Sequence, residues 1–101
     1  MNIFSSENSV NDYLIRYFNL NPEETDLQKA LTERISFLLS ENKILLKSIL
    51  YRLDVDESKL AHALTNFEGQ ELIQALIKLS IDKISQKLAI RAAYSQKKEL
   101  E

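Results

Sequence analysis

The sequence predicts an all-α fold, a small four- or five-helix bundle with a long C-terminal helix. One glycine and one proline leave almost none of the turn chemistry that a multi-stranded sheet requires. Apolar residues recur at intervals of three and four along most of the chain, which is the period of one helix face. Residues 70–98 contain neither glycine nor proline, so we predict one long helix there, with the shorter helices packed on it.

Length and composition favour one domain over residues 1–101, because 101 residues that are 45% apolar support a single core. We divide the chain into an N-terminal helix and linker (1–21), short helices (22–69) and the long helix (70–98). The lack of cysteine excludes disulfides, zinc–thiolate sites and thiol catalysis. No apolar run approaches the ~18 residues of a membrane span, and the first residues lack a secretory pattern. We therefore expect a cytoplasmic protein that does not enter membranes.

The first helix is predicted to follow Ser9, which together with Asp12 resembles a capping start. Its apolar face consists of Val10, Tyr13, Leu14, Tyr17 and Phe18. The helix ends before Pro22, because the residue that precedes a proline avoids the α region. The second helix is predicted to start here, with Asn21 as its cap, Pro22 at its first position and two acids directly after the proline.

The second helix carries one apolar face, formed by Leu27, Leu31, Ile35 and Leu38. Two interpretations are open at the polar cluster that follows. Either one helix continues through it, or Ser40 or Asn42 caps a new helix over 43–53. We favour the break, because the cluster lies where a helical hairpin would turn. The new helix is expected to bury Ile44, Leu45, Ile49, Leu50 and Leu53.

A short helix over 57–65 is predicted next, with Asp56 as its cap. A capping box of Asp54 with Glu57 is the competing register. Leu60 and Leu64 define its inner face, which directs His62 toward solvent. Phe67 lies in the loop that leads to the long helix, and we expect its ring to turn inward.

The long helix keeps one apolar face, formed by Ile73, Ile77, Ile81, Ile84 and Leu88. At ~1.5 Å per residue it is roughly 42 Å long, whereas a compact chain of this size has a radius of gyration near ~13 Å. Its end is therefore expected to overhang the domain, where it either frays into solvent or is covered by a second copy or another protein. Five basic residues and no acid lie between residues 83 and 98 of this end.

The candidate chemical sites are weak. A calcium loop starting at Asp54 would need glycine and glutamate where this chain has Lys59 and Thr65. His62 is the only histidine, so an ordinary zinc site cannot form, and one glycine provides no phosphate-binding loop. We predict no cofactor, no metal and no enzymatic activity.

The sequence therefore favours a non-enzymatic helical interaction module. Its partner is expected to be a second copy in a homodimer, or another helical protein. The predicted contact surface has an apolar seam with a charged flank and comprises Lys83, Ile84, Lys87, Leu88, Arg91 and Ala92. Tyr13 and Tyr17, one turn apart, are expected at the edge of the core with buried rings and solvated hydroxyls, and the alternative is that they form a second contact surface. The alternative is a nucleic-acid-binding regulator that resembles a helix-turn-helix and uses the basic stripe of the long helix.

Overall fold

Five α-helices form the bundle in the computed structural model, which describes residues 9–100, with side chains for residues 9–94. They are α1 (Val10–Phe18), α2 (Leu27–Glu41), α3 (Lys43–Leu53), α4 (Glu57–Asn66) and α5 (Gly69–Leu100). The all-α prediction with a long C-terminal helix is confirmed, since no strand occurs within residues 9–100. The N-terminal residues that precede Ser9, and Glu101, lie outside the described part.

Helix α5 is the centre of the bundle, because each of the other four helices contacts it. Its core-facing side carries four buried apolar residues, Ile73, Leu76, Ile77 and Ile84. Ser80 is also fully buried there, and its hydroxyl donates to the Leu76 carbonyl at 2.8 Å. The three- and four-residue spacing of the sequence thus produces the face on which α1, α2 and α3 bury their own apolar residues.

Side-chain caps set the helix starts where the sequence predicts them. The Ser9 hydroxyl accepts from the Asp12 amide at 3.0 Å, and Asn42 Oδ1 accepts from the Leu45 amide at 3.1 Å. The break that we favoured in the polar cluster is therefore confirmed, with Asn42 rather than Ser40 as the cap, and residues 9–100 form five helices. Asp56 caps α4, and hydrogen bonds from the Ser58 hydroxyl and amide lower the pKa of its carboxyl.

The predicted start of α2 at Pro22 is wrong. Asn21 caps only a turn, in which its Oδ1 accepts from the Glu23 amide at 3.0 Å. The helix begins at Leu27, where Asp26 Oδ1 accepts from the Lys29 amide at 3.1 Å. Residues 21–26 are all exposed, so a helix over them would have no face buried in the core. Tertiary burial thus overrides a good local entry signal.

Three predictions of inward-facing side chains are also wrong. Ile44 is 83% exposed, and Leu46 takes the inner position of α3 instead. The two residues lie about 200° apart around the helix axis, so only one of them can face the core. On α4 the buried residue is Ala63, while Leu64 and Phe67 are exposed. The small side chain of Ala63 lies on the side of α4 that packs against α5.

Candidate interaction surface

The end of α5 exposes two large apolar side chains beyond the core. Among the described side chains of α5, which end at residue 94, Ile84 is the last fully buried one, and Leu88 is half-buried at the edge of the core. From residue 89 to residue 94 every side chain is exposed. Ile90 is 62% exposed and Tyr94 is 69% exposed, one turn apart on the same side of the helix. This pair is the apolar part of the candidate surface.

The apolar seam predicted from the sequence is only partly available. Ile84 is 0% exposed and belongs to the core of its own chain, so a partner cannot reach it in this structure. Leu88 packs against the same core, and Ala92 is exposed. These three residues continue the core-facing side of α5, whereas Ile90 and Tyr94 lie on another side. The sequence did not predict the exposure of Ile90 and Tyr94. Ile84, Leu88 and Ala92 recur every four residues and look like one continuous contact face, but the core covers the first members of this row.

The predicted charged flank divides between two contacts. Lys83 is half-buried, with its Nζ 3.8 Å from Asp54 Oδ2 at the end of α3. Arg91 is exposed, and its Nη1 donates to the Tyr13 hydroxyl at 2.8 Å. Lys87, half-buried, lies between them along the helix. The remaining basic residues of the stripe, Lys97 and Lys98, lie outside the described side chains.

The contact between Arg91 and Tyr13 belongs to a groove where α1, α3 and α5 meet. The groove has a volume of about 460 Å³ and is lined by Tyr13, Arg16, Tyr17, Arg52 and Arg91. The two tyrosine rings stack with centroids 6.1 Å apart and planes within 13° of each other. The Arg16 guanidinium carbon lies 5.1 Å from the Tyr13 centroid, and Arg16 Nη2 is 2.9 Å from Asp12 Oδ2. We call these five lining residues the arginine–tyrosine groove.

Local sequence spacing accounts for only part of this groove. Tyr13, Arg16 and Tyr17 come together because they share one side of α1, at spacings of three and four. The tyrosine pair was recognised in the sequence, but Arg16 between them was not. Arg52 has no local signal that links it to Tyr13. The packing of α3 beside α1 and α5 brings it there.

A second exposed stripe lies on α2 and has the opposite charge. Glu33, Phe37 and Glu41 follow one another at four-residue intervals, and all three are exposed. Phe37 is 55% exposed, which is a large aromatic area without cover within the bundle. We call this set the acidic stripe. It combines an apolar centre with two carboxylates, as the end of α5 combines an apolar pair with two cations.

A third feature is a leucine-lined groove of about 630 Å³ between the α2–α3 hairpin and the α4–α5 pair. Lys43 and Lys47 lie at its rim, and Phe67 and Leu64 contribute to its wall. Within residues 9–94, no group of three or more histidine, aspartate or glutamate side chains is placed to hold a metal ion. His62 is exposed, and its Nδ1 lies 3.1 Å from Asn66 Nδ2.

Comparisons of the chain with protein-family models, with characterised proteins and with solved structures gave no match. Among the helices of the described chain, none combines the length and the apolar character that crossing a membrane requires. The exposed surfaces of the chain itself are therefore the features from which a function can be inferred.

Proposed function

We propose that this chain is a non-enzymatic helical interaction module that self-associates through the end of α5. The observation that carries the proposal is the exposure of Ile90 and Tyr94 beyond the core. Covering apolar area is favourable by roughly 25 cal/mol per Å², so a partner surface that covers both side chains gains free energy. Tyrosine suits such a contact because its ring can be buried while its hydroxyl stays in water.

The occupant that we propose is a second copy of the chain, which supplies its acidic stripe. Lys87 and Arg91 flank the apolar pair on α5, and Glu33 and Glu41 flank Phe37 on α2. The two surfaces therefore match in both charge and apolar character, which favours the correct pairing. A twofold axis would repeat this contact in a dimer, with each α5 lying on the α2 of the other copy.

Direct pairing of α5 with α5, the simplest arrangement from the sequence, is less favourable. Residues 83–94 carry three basic side chains and no acid. Two such helix ends side by side would bring like charges together, which disfavours the pairing. We therefore propose that the chain self-associates with α5 lying on the acidic stripe of the other copy rather than on the other α5.

The test is the solution mass of the chain by analytical ultracentrifugation over a range of concentrations. We expect the wild-type chain to dimerise, with weaker association at high salt because the flanking charges are screened. The double variant Ile90→Ser, Tyr94→Ser should be monomeric, and so should Phe37→Ser. The matched control is Ile44→Ser, which replaces an even more exposed isoleucine on α3 and should dimerise as wild type does.

Three results would contradict the proposal. The first is a wild-type chain that stays monomeric at every concentration. The second is a loss of association in Ile44→Ser equal to that in the double variant. The third is association that survives Phe37→Ser but not the double variant, which would retain the α5 surface and reject the acidic stripe as its partner.

The nucleic-acid alternative has less support. In a helix-turn-helix arrangement of α3 and α4, Lys59 is the one basic residue of α4, and it lies next to Asp56 and Glu57. Such a helix would meet a phosphate backbone with little positive charge. Lys83, from the basic stripe, contacts an acid of its own chain. Titration with a duplex oligonucleotide at low salt tests this alternative, and we expect no binding.

A further inference from the structure

All five side chains that line the arginine–tyrosine groove are cationic or phenolic. The three arginines come from three different helices, Arg16 from α1, Arg52 from α3 and Arg91 from α5. Gathering guanidinium groups in one place is unfavourable unless negative charge compensates for them. The groove is open to solvent, so an anion can reach it, and all three arginines are exposed.

Charge compensation among the described side chains, residues 9–94, is incomplete. Asp12 pairs with Arg16 at 2.9 Å and neutralises one of the three cations. Over residues 9–94, neither Arg52 nor Arg91 has a carboxylate within salt-bridge distance. The groove therefore keeps a surplus of two positive charges, which matches a dianion better than a single carboxylate.

Hydrogen-bond donors also face this groove in excess. Arg91 uses Nη1 to donate to the Tyr13 hydroxyl oxygen, and this contact leaves its other guanidinium donors available. The Tyr13 oxygen accepts from Arg91, which leaves its O–H proton able to donate to a bound anion. Arg52 adds a planar donor fork of the kind that binds two oxygens of one anion. Tetrahedral oxyanions provide several acceptor oxygens for such a set.

We propose that the arginine–tyrosine groove binds a dianionic phosphoryl group, either as free phosphate or as a phosphate monoester. A phosphate monoester carries about −1.5 to −2 charges at neutral pH and offers three acceptor oxygens. The half-buried rings of Tyr13 and Tyr17 form an apolar wall against which the esterified group can lie. A volume of about 460 Å³ is large enough for a phosphoryl group with a small substituent.

The experiment is isothermal titration calorimetry of the whole chain in a low-chloride buffer. The titrants are inorganic phosphate, phosphoserine and adenosine monophosphate. We expect binding of the phosphoryl group, with Arg52→Ala weakening it at least tenfold and Arg52→Lys weakening it less. Lys47→Ala, which removes an exposed cation from the same helix but outside the groove, is the matched control and should bind as wild type does.

Asp12→Asn provides a test of opposite sign. Removing the carboxylate beside Arg16 adds to the positive charge of the groove, so this variant should bind phosphate more tightly than wild type. A structural role for the arginines would not produce this gain. Circular dichroism of each variant checks that the helices are retained.

The arms of the titration separate the sources of the phosphoryl group. Tighter binding of inorganic phosphate than of either ester assigns the groove to free phosphate, tighter binding of either ester assigns it to a phosphate monoester, and equal binding assigns it to the phosphoryl group that the titrants share. No binding of any titrant, or equal binding by Arg52→Ala and wild type, overturns the proposal. Tighter binding of a single-stranded oligonucleotide than of any titrant also overturns it, in favour of a nucleic-acid backbone. Repeating the titration with Ile90→Ser, Tyr94→Ser separates this site from self-association, because that variant leaves the groove intact.

Discussion

The pair of substitutions Ile84→Ala and Ile90→Ala separates the core of α5 from its contact surface. Both remove the same three carbon atoms from the same helix. Ile84 is 0% exposed and Ile90 is 62% exposed. We expect Ile84→Ala to lower the free energy of unfolding strongly, and Ile90→Ala to leave it almost unchanged while weakening self-association.

The magnitude follows from burial. Removing three buried carbon groups at about 0.8 kcal/mol each forfeits about 2.4 kcal/mol of transfer free energy. The cavity that remains adds to this cost, since buried isoleucine-to-alanine changes typically lose about 2–5 kcal/mol in total. We expect a loss of about 3 kcal/mol for Ile84→Ala, out of a total of about 5–15 kcal/mol for a domain of ordinary stability. For Ile90→Ala we expect less than about 0.5 kcal/mol, because surface changes rarely exceed this value.

The assay is urea unfolding followed by the helical circular-dichroism signal at two protein concentrations. Unfolding at low concentration, where the chain is monomeric, measures the core contribution alone. The loss in Ile84→Ala should be the same at both concentrations. Any loss in Ile90→Ala should appear only at the high concentration, because association stabilises the folded state by mass action.

Two results would refute this reasoning. A loss below about 1 kcal/mol in Ile84→Ala would mean that the residue is not enclosed by the core as the structure shows, given that core truncations cost more than this. Equal losses in both variants at low concentration would mean that the end of α5 is covered by its own chain. The first outcome would restore Ile84 to the predicted seam.

Three further predictions concern local stability. Ser80→Ala should change the free energy of unfolding by less than about 1 kcal/mol, because the hydroxyl bonds only to the Leu76 carbonyl of its own helix and burying it is itself costly; urea unfolding measures this. Asp56→Asn should make the melting temperature less sensitive to acid than in wild type. The lowered pKa of Asp56 means that its contribution is present above the unfolded-state pKa and is lost as the pH falls through the folded value. Gly69 has a φ of +59°, in the left-handed region, and a Cβ there would meet open space. Gly69→Ala should therefore destabilise the chain by about 1 kcal/mol through backbone strain alone, and Gly69→Asn by less, because asparagine adopts this conformation more readily. Melting curves of the two variants will show the order.

The helix boundaries show where local signals suffice. Asn42 and Asp56 were predicted as caps, and both accept backbone amide hydrogen bonds at the starts of α3 and α4. A cap acts within three residues of itself, so its partners are present in the sequence. Asn21 and Pro22 were an equally good local signal, and there the prediction was wrong because residues 21–26 have no face that the core could bury.

The inner faces show where local signals fail. Residues 44 to 46 are all apolar, so periodicity alone does not decide which of them faces the core. The rotation of α3 against its neighbours buries Leu46 and exposes Ile44. The candidate site depends on the same kind of information, since Arg52 joins Tyr13 and Arg91 only through the packing of three helices.

By itself, the sequence determined the all-α class, the long C-terminal helix and the basic character of the end of α5, and it favoured a helix break within the polar cluster at residues 40–42. These features depend on period, caps and composition, which act between residues close together in the chain. The tertiary structure alone decided that Ile84 is core, that Ile90 and Tyr94 are exposed, and that three arginines share one groove. Those outcomes depend on where each helix stops being covered by the others, and that is a property of how the helices pack together.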